Sequence, residues 1–241
     1  MIRVIDLYKS FNSKKVLQGV DLEVKKGESM VVIGGSGSGK SVLIKHIIGI
    51  LTPDSGKVVI DDVDITSLEE GEINEIRKKF GMLFQGAALF DSLSVEENVG
   101  FPLSMFSDMS GEEKLERINF CLKRVHLENV NKFFPSALSG GMKKRVGIAR
   151  AIVMSPKYLF CDEPNSGLDP LTSVVIDDLI KEITEEFNIT TIVNTHDMNS
   201  VMNIGDKVIF IYKGQKWWEG TSKDILHSGN NVLTHFPFHS Y

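Results

Sequence analysis

Hydrophobic and charged residues alternate near the start of the chain, in the pattern of a strand with one buried face. From Val20 to Val24 every second residue is apolar, and the residues between them are acidic. A second strand is predicted over residues 2–7, and another over 57–60 that ends in a turn at Asp61–Asp62. The first part of the chain is therefore predicted to form antiparallel strands.

Further along, short strands alternate with segments of helical spacing. Three runs have the composition of short strands: 30–33, 158–162 and 190–195. Strands that alternate with helices favour a mostly parallel sheet. The last two strands are predicted over 207–212 and 215–220, and the short Lys213–Gly214 connection between them is typical of a hairpin.

Two regions have the spacing of helices. Residues 86–155 contain helical stretches such as 112–125, which favours a helical insertion into the α/β core. Another helix is predicted after Asp169, with this aspartate as N-cap and Pro170 at the first helical position. Its apolar residues recur every four positions, and they are predicted to form its core face: Leu171, Val175, Leu179, Ile183 and Phe187.

The loop after strand 30–33 has the composition of a phosphate-binding loop. Its sequence GGSGSGKS matches G-x-x-x-x-G-K-[ST] between an apolar strand and a helix, the context that the motif requires. The glycines allow backbone N–H groups to point at phosphate oxygens, Lys40 supplies a positive charge, and the Ser41 hydroxyl can ligate Mg²⁺. A flexible Gly/Ser loop is the alternative, which the flanking strand and helix disfavour. The predicted binding residues are Gly34, Gly35, Ser36, Gly37, Ser38, Gly39, Lys40 and Ser41.

Two adjacent carboxylates end the strand at 158–162. Asp162 stands at the carboxyl end of this apolar strand, where a carboxylate can bind Mg²⁺ directly or through water. Glu163 follows it and can polarise an attacking water. An acidic pair is otherwise a solvated turn, but the apolar strand before it favours a functional site.

Two further features indicate ligand contacts more weakly. Ser139 is a suitable N-cap for a helix, and Gly140 and Gly141 leave backbone N–H groups uncovered, which favours an anion site. The basic run 143–145 that follows is predicted to be a solvated face. His196 comes directly after strand 190–195, at the end of a parallel strand where ligands bind, although a lone histidine is more often structural.

Composition and charge exclude several classes of protein. The chain has 241 residues, with 42% hydrophobic and 24% charged residues, as in an ordinary globular protein of one large or two small domains. A net charge of −5 gives no electrostatic case for nucleic acid. No apolar run reaches the length of a membrane span, and the N-terminus lacks the apolar region of a secretory signal. Cys121 and Cys161 are expected to be reduced thiols.

Together these motifs, in this order, resemble the nucleotide-binding subunit of ATP-binding-cassette (ABC) transporters over residues 1–225. GGSGSGKS resembles Walker A, YLFCDE at 158–163 resembles Walker B, and LSGGM at 138–142 resembles the ABC signature. The remaining motifs are SGLD at 166–169 as the D-loop, Gln85 as the Q-loop, His196 as the switch histidine, and Phe11 as the aromatic residue under the adenine. Gly35, Met142 and Asn165 depart from common family residues, and none of these changes removes a charged or phosphate-binding group.

The resemblance implies an ATPase with a P-loop NTPase (RecA-like) core, an antiparallel β-subdomain and a helical subdomain. It implies that two copies pack head to tail, with ATP between Walker A of one copy and Ser139–Gly141 of the other. Glu163 would be the general base, and His196 would hold the γ-phosphate. Mg²⁺ would be held by Ser41, Gln85 and Asp162, whereas Asp169 would contribute to the nucleotide site.

Residues 84–103 and 138–152 are similar to those of the ATPases of Mce-type lipid transporters. This narrower resemblance implies phospholipid cargo, a separate membrane permease, a lipid-binding Mce-type protein and a location on the inner face of the cytoplasmic membrane. An ABC ATPase for another substrate, such as polar amino acids, remains the alternative. ABC proteins that act on DNA or ribosomes have a long coiled-coil insertion or a second cassette, and neither is evident here.

The predicted division is a core of residues 1–85 and 156–228, a helical subdomain over 86–155 and a tail over 229–241. The apolar residues of 87–103 have no clean period and cannot all be core, so some are predicted to form the groove for the permease. The tail is predicted to be frayed, with docking of Phe236, Phe238 and Tyr241 on a neighbouring subunit as the alternative.

Overall fold

The computed structural model describes residues 1–230 and Leu233, so the aromatic residues of the predicted tail lie outside the described residues. The chain divides into two compact units. Unit 1 consists of Met1–Arg77 and the chain from Thr190 onward, and unit 2 is Lys78–Ile189.

Strands and helices alternate through most of the chain. The strands are β1 (Ile2–Phe11), β2 (Lys14–Val24), β3 (Ser29–Ile33), β4 (Ser55–Ile60), β5 (Val63–Asp64), β6 (Phe80–Leu83), β7 (Tyr158–Asp162), β8 (Thr190–Thr195), β9 (Lys207–Tyr212) and β10 (Gln215–Gly220). The α-helices are α1 (Lys40–Ile47), α2 (Glu70–Arg77), α3 (Val95–Phe106), α4 (Gly111–Arg124), α5 (Gly140–Ile152), α6 (Pro170–Glu186) and α7 (Met198–Ile204). Short 3₁₀ turns span Ile65–Ser67, Pro135–Ala137 and Ser222–His227.

Unit 1 contains the predicted antiparallel strands, in the order β2-β1-β4-β5. The alternation that predicted β2 places Val20, Leu22 and Val24 in the core, where each is at most 4% exposed. Strand β1 is longer than predicted and reaches Phe11, which pairs with Lys14. Asp61 and Asp62 have φ values of 48° and 66°, and they form the predicted turn after β4.

The second sheet of unit 1 has the order β10-β9-β3-β8. Strand β3 is parallel to both β8 and β9, as the alternation of strands and helices predicted. Strands β9 and β10 form the predicted hairpin, with Lys213 and Gly214 at φ values of 49° and 79°. Both connecting residues are left-handed, as the two-residue turn that matches the twist of a hairpin requires.

Helix α1 carries a buried histidine. His46 is 1% exposed, and its Nδ1 lies 2.7 Å from the carbonyl oxygen of Val42, so Nδ1 carries the proton. Its Nε2 is buried without a hydrogen-bond partner among the described residues. Burial is the main cause that lowers the pKa of His46, and the Lys9 ammonium lowers it further, whereas the backbone of Val42 and Thr52 and the Asp54 carboxylate raise it.

We expect this histidine to make the stability of the protein depend on pH. In the unfolded chain His46 has the ordinary pKa of 6.5, so as pH falls through that value the unfolded state binds a proton that the folded state excludes. The free energy of unfolding should therefore fall between about pH 7 and pH 5. Urea titrations should show a weaker pH dependence in His46→Leu, and the parental dependence in His126→Asn, which changes an exposed histidine. An unchanged slope in His46→Leu would contradict the assignment.

Unit 2 combines two parallel strands, β6 and β7, with four helices. Three of these helices, α3 to α5, lie within the predicted helical insertion at 86–155. Helices α3 and α4 begin with capping boxes, Ser94 with Glu97 and Ser110 with Glu113, which satisfy backbone N–H groups at each helix start. These local signals explain why the helices begin where they do.

The predicted core face of helix α6 was wrong at three of its five positions. Leu171 is 81% exposed, Val175 42% and Phe187 38%, whereas Leu179 and Ile183 are buried. A helix has 3.6 residues per turn, so residues four apart drift around it by about 40° per step and do not stay on one face. The buried apolar face is Ile176, Leu179, Ile180 and Ile183.

No helix among the described residues is long and apolar enough to cross a membrane. The two cysteines are buried and free, as predicted.

Candidate functional site

The phosphate-loop sequence lies between β3 and α1 in unit 1, as predicted. The side chain of Lys40 is folded back into the loop and is 7% exposed. Its ammonium donates hydrogen bonds to the carbonyl oxygens of Gly34 at 2.7 Å and of Gly35 at 3.3 Å. Lys40 therefore holds the loop and places a positive charge inside it.

The loop depends on glycine where its backbone turns. A Cβ at Gly34 would lie 2.3 Å from the carbonyl oxygen of Ile211, which is too close for any side chain. Gly37 and Gly39 have φ values of 74° and 109°, which favour glycine. Gly39 caps α1, and no side chain of the described residues occupies this cap. A helix start without a side-chain cap suits an anion, because the positive end of the helix dipole lies there.

A cleft of about 220 Å³ opens at this loop. It is lined by Lys14, Val16, Gly35, Gly37, Ser38, Gly39, Lys40, Ser41 and Val42. The Oγ of Ser38 is buried and has no hydrogen-bond partner among the described residues. An uncapped helix start, a buried ammonium and an orphaned hydroxyl fit the phosphates of a nucleotide, and Ser41 supplies a hydroxyl oxygen of the kind that Mg²⁺ binds.

Two other predicted residues belong to unit 1. Ile33 and Thr195 are register partners in the parallel β3–β8 pair, so Gly34 and His196 follow neighbouring strand ends at one edge of the sheet. His196 is exposed there. Phe11 is 43% exposed and is the cross-strand partner of Lys14, which lines the cleft.

Unit 2 brings Gln85 and the carboxylate pair to one sheet edge. Leu83 and Cys161 are register partners in the parallel β6–β7 pair, and Gln85 and Glu163 each follow two residues later. Gln85 donates from Nε2 to the Oγ of Ser166 at 3.2 Å. Glu163 has a left-handed φ of 50°, an uncommon conformation for a residue with a side chain and one that marks functional turns.

The signature residues lie at the start of α5 in the same unit. Ser139 caps this helix through its Oγ, which accepts from the N–H of Met142 at 3.3 Å, as predicted. A Cβ at Gly141 would lie 2.7 Å from the methyl group of Thr172, so the two helix starts pack closely only because this residue is glycine. The carboxylate of Asp169 caps α6 and accepts from the N–H and Oγ1 of Thr172 at 3.0 and 2.5 Å, which lowers its pKa.

The prediction that residues 143–145 form a solvated face was wrong for Lys144. This lysine is 4% exposed, and its ammonium donates to the carbonyl oxygens of Gln85 and Glu163. Burial lowers its pKa, against the nearby Cys161, Glu163 and Asp162. The helical period of α5 indicates this burial, because Lys144 lies on the same helix face as Gly141, Ile148 and Ala151, all of which are buried.

Known proteins align with the chain over most of its length. The ABC transporter family model matches residues 17–166. TRIGALACTOSYLDIACYLGLYCEROL 3, a chloroplast protein of Arabidopsis thaliana, is 40% identical over 98% of this chain and 73% of its own length. The probable ribonucleotide transport ATP-binding protein mkl of Mycobacterium leprae is 37% identical over 98% and 68%. The methionine import ATP-binding protein MetN 2 of Bacillus cereus is 42% identical over 92% and 66%.

A solved structure agrees with the fold and with the predicted chemistry. The dimeric, post-hydrolysis structure of the ATP-binding cassette MJ0796 with ADP and Pi superposes with a TM-score of 0.86 and 34% identity, over 92% of this chain and 99% of that one. The chain therefore belongs to the ABC transporter family, and it is an ATP-hydrolysing cassette of that family.

Proposed function

We propose that this cassette powers the movement of a phospholipid or a related hydrophobic molecule through a separate permease, on the inner face of the cytoplasmic membrane. The supporting observation is that a relative named for a lipid, trigalactosyldiacylglycerol, aligns over 98% of the chain. Residues 84–103 and 138–152 are also similar to the ATPases of Mce-type lipid transporters. A lipid-binding Mce-type protein is then a further partner.

Import of a polar amino acid is the second candidate, since MetN 2 is named for methionine import. A transport assay separates the two candidates. The permease that co-purifies with the cassette is identified by mass spectrometry, and the two are reconstituted together in vesicles. ATP-driven transfer of a fluorescent phospholipid supports the first proposal. ATP-driven uptake of labelled methionine without lipid transfer would overturn it in favour of the second.

We propose the following roles for the predicted site residues in ATP hydrolysis. Lys40 and the N–H groups of the loop bind the outer phosphates, and Phe11 stacks on the adenine. Ser41, Gln85 and Asp162 would hold Mg²⁺, and the ion would neutralise developing negative charge on the phosphates. Glu163 takes a proton from the attacking water as its oxygen forms a bond to the γ-phosphorus, and the bond to ADP breaks. His196 donates a hydrogen bond to the γ-phosphate.

A pair of cassettes completes two such sites in the proposed mechanism. Each chain has one phosphate loop and, at Ser139–Gly141, a second helix start with uncovered N–H groups that suits an anion. A second copy supplies that helix start, together with Asp169, to the nucleotide of the first. The dimeric form of MJ0796 supports this arrangement.

The segment after Gln85 has a surface that suits a permease. Within α3, Val95, Val99 and Leu103 are buried, which accounts for part of the apolar run 87–103. Phe90 and Phe101 are 44% and 39% exposed, and their rings lie 4.8 Å apart. These two side chains are therefore the apolar residues of the run that remain at the surface with large area.

A buried asparagine side chain holds the backbone of Phe90 in place. Asn98 is 0% exposed, and its side chain accepts from the N–H of Phe90 at 2.8 Å and donates to its carbonyl oxygen at 3.1 Å. Beside Phe101, a cleft of about 340 Å³ includes Leu93, Leu115 and the charged Glu96, Glu97 and Lys114. An apolar floor with a charged rim suits an amphipathic helix, so we propose that a cytoplasmic helix of the permease binds here.

We expect Phe90→Ala, and more weakly the half-buried Leu89→Ala, to impair permease binding while the isolated cassette keeps its basal ATPase. Truncation of an exposed aromatic anchor at an interface typically costs about 1–2 kcal/mol, or about 5- to 30-fold in affinity. Co-purification and titration with the reconstituted permease measure this change.

Phe187→Ala is the matched control, because Phe187 is 38% exposed, packs edge-on against Phe120 and lies on α6. It should retain parental permease affinity. Parental affinity and transport in both Phe90→Ala and Leu89→Ala would contradict the proposed groove.

A further inference from the structure

Helix α5 carries a buried ammonium that is aimed at backbone rather than at a carboxylate. Lys144 donates to the carbonyl oxygen of Gln85 and, at 3.2 Å, to that of Glu163. The same carbonyl of Glu163 also accepts from the N–H of Ser166 at 3.2 Å. The backbone that carries the side chains of Gln85, a proposed Mg²⁺ ligand, and Glu163, the proposed base, is thereby bonded to the second turn of α5.

A second cation of α5 holds the continuation of the Gln85 loop. Arg150 donates to the carbonyl oxygens of Ala87 at 2.5 Å and of Ala88 at 2.7 Å. Both alanines have left-handed φ values, 60° and 46°, a conformation that persists in non-glycine residues when the surroundings fix it. Between the two cations, a Cβ at Gly147 would lie 3.2 Å from the Cβ of Ala87, so the loop lies directly on the helix.

Burying a lysine for two carbonyl acceptors is costly, since desolvation of the ammonium opposes it. Methionine, of similar length, would fill the space without this cost. The buried charge of Lys144 is therefore better explained by its bonds to the backbone of Gln85 and Glu163 than by a contribution to the stability of the fold. These bonds connect that backbone to the helix that begins after Ser139.

We propose that Lys144 is a positioning residue for hydrolysis: it sets Glu163 and Gln85 relative to the helix that begins with the signature residues. The inference rests on the proposed role of Glu163 as the general base. Movement of α5 when a second copy engages Ser139–Gly141 would then be transmitted to both residues through one side chain. Lys144 acts through the backbone of Glu163 and Gln85 and does not itself touch the nucleotide.

Lys144→Met tests this assignment, because it keeps the length and loses the donors. We expect kcat to fall about 10- to 100-fold, the cost of a small misplacement of a reacting group, while the Kd for ATP stays within about twofold. Lys144→Gln retains an NH₂ group that can serve two carbonyl oxygens, and it should recover kcat to within about threefold of the parental value. Lys181→Met changes an exposed lysine of α6 and should leave kcat unchanged.

A double-mutant cycle separates positioning from a general loss of structure. In the Glu163→Gln background, measured by single-turnover hydrolysis, Lys144→Met should lower the rate by a smaller factor than in the parental background, because Glu163, one of the two residues that it positions, has lost its basicity. Equal losses in both backgrounds, or equal kcat in Lys144→Met and Lys144→Gln, would overturn the inference. If circular dichroism shows that Lys144→Met does not fold, Lys144→Ala replaces it, with the same expected fall in kcat. Its shorter side chain lets water reach the two carbonyl oxygens.

The two proposals fail in different ways. A parental kcat in Lys144→Met beside a slow Glu163→Gln overturns the role of Lys144 alone. A parental rate in Glu163→Gln overturns the general base and the inference that rests on it.

Discussion

Glu163→Gln is expected to hydrolyse ATP about 10²- to 10⁴-fold more slowly than the parental chain while binding ATP as tightly. The amide keeps the size and hydrogen-bonding capacity of the carboxylate but cannot accept the proton of the attacking water. The local structure should survive, because the carbonyl of Glu163 remains bonded to Ser166 and Lys144. Phosphate release and fluorescent-nucleotide binding measure the two quantities.

The same variant should accumulate an ATP-bound pair of cassettes, detectable by size-exclusion chromatography with saturating Mg-ATP. Glu182→Gln, on the exposed side of α6, is the matched control and should hydrolyse ATP at the parental rate. Hydrolysis at the parental rate by Glu163→Gln itself would show that another group is the base.

Lys40→Ala should weaken ATP binding and turnover together. The substitution removes the ammonium that we propose binds the outer phosphates, and also the two hydrogen bonds to the carbonyls of Gly34 and Gly35. A hydrogen bond to a charged group contributes about 1.5–3 kcal/mol, which corresponds to roughly 10- to 150-fold in affinity. Isothermal titration with ATP measures the change.

Lys45→Ala, an exposed lysine one turn further along α1, should bind ATP with parental affinity. Lys40→Met keeps the aliphatic part of the side chain and should lose as much affinity as Lys40→Ala. ATP affinity within twofold of the parental value in both Lys40 variants would contradict the phosphate-loop assignment.

These two substitutions test ATP binding and ATP hydrolysis at residues that lie in different units of the chain. Lys40 belongs to unit 1 with the phosphate loop, and Glu163 belongs to unit 2 with Gln85 and the signature residues. A fall in affinity with Lys40→Ala and a fall in rate alone with Glu163→Gln would therefore assign the two roles independently.

The sequence by itself determined the features that depend on neighbouring residues. Phosphate loops, N-caps and the two-residue hairpin turn are set by steric limits and hydrogen bonds within a few positions. The glycines of residues 34–39, Ser139 at the start of α5 and Asp169 at the start of α6 were therefore predicted correctly as structural signals. Their roles with ATP and Mg²⁺ remain proposals.

Only the tertiary structure decided which side of each helix is buried. The four-residue repeat of α6 included Leu171 at 81% exposure, because strict spacing by four winds around a helix and the packing partner selects the face. Within the run 87–103, packing of α3 buried Val95, Val99 and Leu103 and left Phe90 and Phe101 at the surface. Burial depends on residues distant in sequence, which the local pattern does not contain.

Lys144 shows the same limit within the candidate site. Beside two other basic residues it has the pattern of a solvated face, yet it is 4% exposed and bonded to two carbonyls 59 and 19 positions away. A long aliphatic side chain with a charged end is equally suited to solvent and to a buried site that offers acceptors. Which of these it meets is decided by the packing of the Gln85 loop and the Glu163 turn against α5.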